Sequence, residues 1–551
     1  MSNPVWSSAT RRPLPIVLVR GFGGTDTGDE RKMTYQGFTD GSVYPQKRGE
    51  NYIYEGLILR FMKSDWRFQD ATNVIGYYGK ELAAPPIIPA ELQAFDPSFF
   101  QGKVIIDPAM ALRLLQSKED PCHSLWVFRY YDLRDREFAK YGEALARLID
   151  FIQALAEIKH GNKPKVNIIA HSMGGLIVRE AIQRTYPKRG ITAADEAINK
   201  VVTLGTPHKG ISFQVLRDLH WLGIESADEL EHFNPDRQAD PNNDAGYQNF
   251  AKCFPLDRLL TVVGTNYKAY GMGAASALNR MFSVAGEFGM NYNRSDGLVK
   301  QDFAQIPGAP RTFVHKPHGG FDSLVSARES FEVATRFFFG DVHVRLRQVR
   351  AQVKRGFDLF GKSEFFFGVS IKPRGVDFEL LHQSKDAENC YGPFRTGDFS
   401  DRDLSFPWAD ANQLIWEGYL NSGASITQTD LVMRMEFYIG ERDLFGIGFS
   451  DNIVFTKQYY VRAILQPTLQ LYLYTGEEFT DRADALKSDA DRQRDSADPD
   501  EKSGSDVSPK SATPMQRVAE GWEFEIEGTG FNGTYRLEFD RVPEDGVAIG
   551  F

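Results

Sequence analysis

The sequence predicts an α/β domain, a mostly parallel sheet with helices on both faces, followed by a β-rich, sandwich-like C-terminal domain. Three observations predict it. Short continuous apolar runs alternate with helical stripes over the first 345 residues or so, the pattern of repeated βα units. Past about residue 344 the chain turns to Phe- and Tyr-rich segments bounded by Gly, Pro, Asp and Asn, which marks β-structure. The length of 551 residues also exceeds what one hydrophobic core ordinarily serves. The expected domains are therefore 1–345 and 346–551.

The first apolar run, 16–19 (IVLV), ends in Gly21 and reads as a buried parallel strand feeding a loop. Residues 125–128 read as a second strand. Next, Tyr141, Leu145, Leu148, Ile149, Ile152 and Leu155 fall on one stripe, spaced by threes and fours. That spacing predicts a helix, ended by Gly161 and Asn162. A strand at 166–170, a helix at 174–185 and strands at 201–204 and 260–263 continue the series. Two long stretches, near 25–124 and 212–254, read as insertions, and either is a candidate cover over a site. In the second domain, 345–354 reads as a charged helical stretch. Strands are expected at 364–371, 376–382, 431–439, 459–465, 468–474, 522–526 and 534–539. A polar Asp-, Ser- and Lys-rich tract near 480–513 predicts a disordered loop within that domain.

The formal net charge of −10 supplies no basic field to collect nucleic acid or an anionic membrane, so no nucleic-acid partner is expected. Three scattered cysteines, Cys122, Cys253 and Cys390, make neither a disulfide framework nor a zinc site. No stretch reads as a signal peptide or reaches membrane length. The default expectation is a cytoplasmic, soluble protein, with export by a signal-less route left open.

The strongest local signal is AHSMGG, 170–175, where a buried strand runs into a sharp turn bearing Ser172 and a helix begins at once. This is the G-x-S-x-G nucleophile elbow with Ala170 in place of the first glycine. The strained serine backbone needs small residues two positions to either side, and Ala170 and Gly174 supply them. The elbow lifts the Ser172 hydroxyl above the sheet and aims the Met173 amide, at the helix N-terminus, where an oxyanion would form. The segment RGFGG, 20–24, directly follows the first strand and makes the Phe22 amide the natural second oxyanion donor. Arg20 stands there as a structural anchor, the preferred reading, or as a cation near an anionic substrate group such as a phosphate.

A serine hydroxyl needs a histidine base held by an acid, and in this setting both follow the serine in chain order. Of ten histidines, His171 adjoins the nucleophile but reads as pointing elsewhere along the turn, and His208 reads as a loop or pocket residue. His315 and His318 remain; His318, followed by two glycines on a late loop, is the preferred base. The preferred acid is Asp296 in SDGLV, 295–299, with Asp257 and Asp322 as alternatives.

RGFGG, AHSMGG, VVTLGTPHKG, SDGLV and HGG, in that order, resemble the bacterial triacylglycerol lipase and esterase branch of the α/β-hydrolases. The resemblance spans about the first three-fifths of the chain. It implies an elbow serine, an acid in the D-G-L-V segment and a late histidine, matching Ser172, Asp296 and His318. It departs from the pattern at Arg20, at Ala170, and in having no acidic residue immediately after the histidine, which weakens any inference of a calcium site. The expected activity is carboxylic-ester hydrolysis through an acyl-enzyme, with no metal or organic cofactor, on a small-molecule or lipid ester, with transient lipid-surface contact allowed. A phospholipase using the second domain for targeting, an acyltransferase, and a non-catalytic binding protein stay open as alternatives.

Overall fold

The computed structural model describes residues 13–21, 55–77, 87–128, 138–209, 247–267, 294–353, 363–395, 414–422, 430–442, 452–475, 513–542 and 549–550, apart from isolated positions within these spans. They fall into two compact units, one spanning Arg11–Phe338 and the other built on Phe339–Phe551.

In the first unit the strands, in chain order, are β1 (Ile16–Val19), β2 (Gln69–Thr72), β3 (Ile75–Tyr77), β4 (Val104–Ile106), β5 (Ser124–Phe128), β6 (Val166–His171), β7 (Ile198–Leu204), β8 (Leu259–Gly264) and β9 (Arg311–Val314). Seven form one sheet in the order β2-β5-β1-β6-β7-β8-β9, and every pairing in it is parallel. β3 and β4 make a separate antiparallel pair. From β1 the chain first builds outward through β2 and β5, then crosses back to β6 and continues the other way. Right-handed crossovers in opposite directions lay helices on opposite faces. The fold class is the one the sequence predicts.

The helix Phe138–His160 connects β5 to β6 and buries Tyr141, Leu145, Leu148, Ile149, Ile152 and Leu155, the stripe read from spacing. Each such side chain contributes roughly 1.5–3 kcal/mol on burial, so the stripe fixes which face of the helix meets the sheet. Gly161, at φ 74°, caps its end in the left-handed conformation that a Cβ disfavours.

Three expectations in this unit needed amending. The stretch 25–124 is not purely an insertion, because β2 within it joins the edge of the main sheet beside β5. β9 was not foreseen, its RTFV being short and begun by a charged residue. The helix expected over 174–185 is α-helical over Met173–Glu180 and then takes a π turn over Ala181–Thr185, a feature with no sequence period of its own.

In the second unit the strands are β10 (Val342–Val353), β11 (Glu364–Pro373), β12 (Leu381–His382), β13 (Tyr391–Arg395), β14 (Leu414–Leu420), β15 (Asp430–Arg442), β16 (Asn452–Ile464), β17 (Gln470–Thr475), β18 (Thr513–Pro514), β19 (Gln516–Val518), β20 (Gly521–Glu527), β21 (Phe531–Arg541) and β22 (Ile549–Gly550). One sheet runs β14-β10-β21-β20-β19, with β22 against β21. The other runs β12-β11-β15-β16-β17-β18, with β13 against β11. The inner faces meet through aromatics: Phe367 and Phe455 lie 5.2 and 5.5 Å from Phe531, and Phe437 lies 4.7 Å from Tyr535. The sandwich-like expectation is met.

Residue 354 lies outside the described residues, and residues 345–353 are not helical. β10 runs through them, and its VHVRLRQ start alternates sides of the sheet, a two-residue period that decides for strand over the charge content. Among the described residues of the expected strand 376–382, Leu381–His382 form a strand, paired with β11. The expected loop near 480–513 lies outside the described residues except for Thr513, which begins β18. The insertion 212–254 also lies outside them up to residue 246.

Candidate active site

Strand order decides where a site can form. The chain leaves β1 toward one edge of the sheet and leaves β6 toward the other, so the carboxyl ends of these adjacent strands flank a switch point. Open α/β sheets bind ligands at that point.

β6 ends at His171, and Ser172 follows at φ 52°, ψ −128°, a conformation a side chain tolerates only under constraint. The constraint is visible: Ser172 N–H donates to the Leu204 carbonyl at 2.9 Å, and Gly175 N–H to the Ser172 carbonyl at 3.0 Å. A Cβ on Gly174 would come 2.6 Å from the Val19 and Arg20 carbonyl oxygens, so only glycine lets the elbow settle onto the end of β1. A Cβ on Gly21 would stand 2.8 Å from Ser172 Cβ, which brings the start of the RGFGG loop beside the serine. Met173 opens the helix, where the first amides have no partner within the helix. Phe22 lies outside the described residues. Arg20 is only 2% exposed.

The loop after β9 delivers His318. Its Nε2 lies 2.9 Å from Ser172 Oγ, and its Nδ1 2.8 Å from Asp296 Oδ2. A carboxylate only accepts, so Nδ1–H donates to Asp296, and Nε2 is left to accept the serine hydroxyl. Asp296 is itself fixed: its Oδ1 accepts the Leu298 and Val299 amides at 3.0 and 2.7 Å. The Asp296 carbonyl accepts the His318 amide at 2.9 Å. SDGLV is thus both a turn, with Gly297 at φ 103°, and the mount for a carboxylate. Ser172, His318 and Asp296 are 8%, 3% and 1% exposed, so water competes little for these bonds.

The alternatives lie elsewhere. His315 Nδ1 is 3.1 Å from Thr265 Oγ1. Asp322 is exposed and paired with Lys316 at 2.8 Å. Asp257 sits in the short turn before β8, at the opposite end of the strand from the serine. His208 is buried, with Nε2 3.1 Å from Thr203 Oγ1 and its carbonyl accepting Arg179. Burial, then the Arg179 charge, hold its imidazole well below the usual range, so it stays neutral.

Two residues escaped the sequence reading. His171 does not point away: its ring faces His318, with centroids 4.9 Å apart. Gly264, at the end of β8, leaves room for Asp296, since a Cβ there would come 2.6 Å from Asp296 Cβ. No local motif marks either contact, because both join segments distant in the chain.

Compared with known proteins, the model of the PGAP1-like alpha/beta domain family matches residues 126–227, which include β6, the elbow and β7. No curated protein matches the sequence. Among solved structures, the mature lipase BlEst2 of Bacillus licheniformis is 16% identical over 57% of this chain and 88% of its own, with a TM-score of 0.27. Phospholipase PlaB from Legionella pneumophila is 11% identical over 80% of this chain and 91% of its own, with TM-scores of 0.30 alone and 0.29 in complex with thio-NAD. At these identities and TM-scores they are likenesses only.

Proposed function

We propose that this protein, whose parallel-sheet unit has the α/β-hydrolase fold, is a carboxylic-ester hydrolase acting through Ser172, His318 and Asp296. One observation carries the reading: the buried line of hydrogen bonds from Asp296 Oδ2 through the His318 ring to Ser172 Oγ, at 2.8 and 2.9 Å. Such a line exists to move one proton. As Ser172 Oγ attacks an ester carbonyl, its proton passes to His318 Nε2, and Asp296 holds the ring and stabilises the imidazolium. The amides of Met173 and Phe22 would receive the negative charge on the carbonyl oxygen. His318 then returns the proton to the departing alcohol. Water, activated by the same ring, hydrolyses the acyl-Ser172 and restores the serine.

The substrate class is a lipid or small-molecule carboxylic ester, and the catalytic domain is the unit Arg11–Phe338. A chain-length series of nitrophenyl esters tests this, run with wild type and Ser172→Ala. Turnover should fall by about a thousandfold or more in the variant, and the preferred acyl length would separate a lipase from a short-chain esterase. Undiminished hydrolysis by Ser172→Ala would refute the assignment.

A further inference from the structure

Histidine 171 is a buried titratable group that the proton relay does not use. It is the last residue of β6, 5% exposed. Its Nε2 lies 2.9 Å from the backbone carbonyl oxygen of His318. A carbonyl oxygen only accepts, so Nε2 carries the hydrogen and the ring is the Nε2–H tautomer. On its other side, a Cβ added to Gly21 would come 2.7 Å from Nδ1. One imidazole therefore touches the serine elbow by covalent connection, the base loop by hydrogen bond, and the start of the RGFGG loop by packing.

We propose that His171 is a positioning residue, tethering the His318 backbone through its Nε2–H so that the His318 ring stays in line between Asp296 and Ser172. The proposal rests on the ester-hydrolase reading of the site. The loop bearing His318 follows a four-residue strand, and the ring it presents must hold two hydrogen bonds at once. The amide of His318 is fastened to Asp296, and the tether fastens the carbonyl of the same residue to the elbow. Nucleophile and base are thus tied by a route separate from the bond between them. Burial, then the neighbouring His318 ring and the Arg20 charge, hold His171 well below the usual imidazole range. It therefore stays uncharged when His318 takes the serine proton, and the carbonyl keeps its donor through the cycle.

Three variants separate donor from volume. Glutamine carries an amide nitrogen as far along the side chain as Nε2, asparagine ends nearer Nδ1, and phenylalanine fills the space with no donor. With a nitrophenyl ester, His171→Phe and His171→Asn should lower kcat by about 10- to 100-fold with KM within about twofold, because displacing a reacting group by about 1 Å costs on that scale. His171→Gln should recover kcat to within about fivefold of wild type. Losses that follow side-chain volume and Tm instead, with phenylalanine mildest, would overturn the tether. Nitrogen-15 NMR of histidine-labelled full-length protein, assigned against His171→Gln, gives a readout free of catalysis. His171 should be a neutral Nε2–H imidazole at neutral pH; an Nδ1–H tautomer, or a charged ring there, would refute the proposal. Were wild type to neither hydrolyse esters nor label at Ser172, the ester-hydrolase reading would fall by itself, and the NMR result would still decide whether the tether exists.

Discussion

Both units carry linked rows of polar side chains, and the rows are of different physical kinds. On the sandwich, Arg345 reaches Glu538 at 2.7 Å, Arg347 reaches Glu538 at 2.6 Å, and Arg536 reaches Glu523 at 2.8 Å, a ladder across β10, β21 and β20. Its arginine side chains are 19–30% exposed, so water and salt reach each rung from the arginine side, although the shared Glu538 is itself buried. In the other unit, Asp296, His318 and Ser172 have similar distances, but every member of the row is buried. Equal distances do not mean equal consequences. Breaking a screened rung lets water replace it, whereas breaking a buried bond leaves a polar group with nothing to replace its partner.

That contrast can be broken or sharpened by substitution, beginning with the largest expected effect. Asp296→Asn retains the shape of the acid but offers His318 the wrong partner chemistry, and should lower kcat by about a thousand- to ten-thousandfold with a normal fold by circular dichroism. A loss of only a few fold would place the anchoring of the ring elsewhere. Next comes the sandwich interior, where Phe437 packs against Tyr459, Phe524 and Tyr535. Phe437→Ala should destabilise its unit by about 3–5 kcal/mol in denaturant titration, and a cost below that of a rung would show that the two sheets are loosely joined there. Smallest is the ladder itself: Arg347→Ala should cost less than about 1 kcal/mol, and less again at high salt. A larger, salt-independent cost would mean that the burial of Glu538, which also takes Arg345, outweighs the exposure of its arginines.

The same contrast explains what the sequence disclosed. Ser172, Met173 and Gly174 sit in one short motif whose strain is local, so residue types alone were enough to mark the elbow. Asp296 could be ranked above Asp257 and Asp322 by its placement after the 260–263 strand and before His318, although an Asp-Gly by itself more often marks only a turn, and the pair of amides on its second oxygen had no sequence signature. The role of His171 was invisible because its partner is a main-chain carbonyl 147 residues away, and every residue has such a carbonyl. β2 was hidden for a related reason: QDAT is a poor strand by composition and is held by its pairing with β5. In β10, charge content suggests a helix, but the alternation VHVRLR is that of a strand and was legible in the sequence.

The most direct test is reaction with a fluorophosphonate followed by peptide mass spectrometry, because that reagent labels a serine only when its proton has somewhere to go. The account predicts stoichiometric label on Ser172 in the full-length protein and loss of labelling in His318→Ala. An unlabelled wild type, or a Ser172 that reacts as fast without His318, would contradict it.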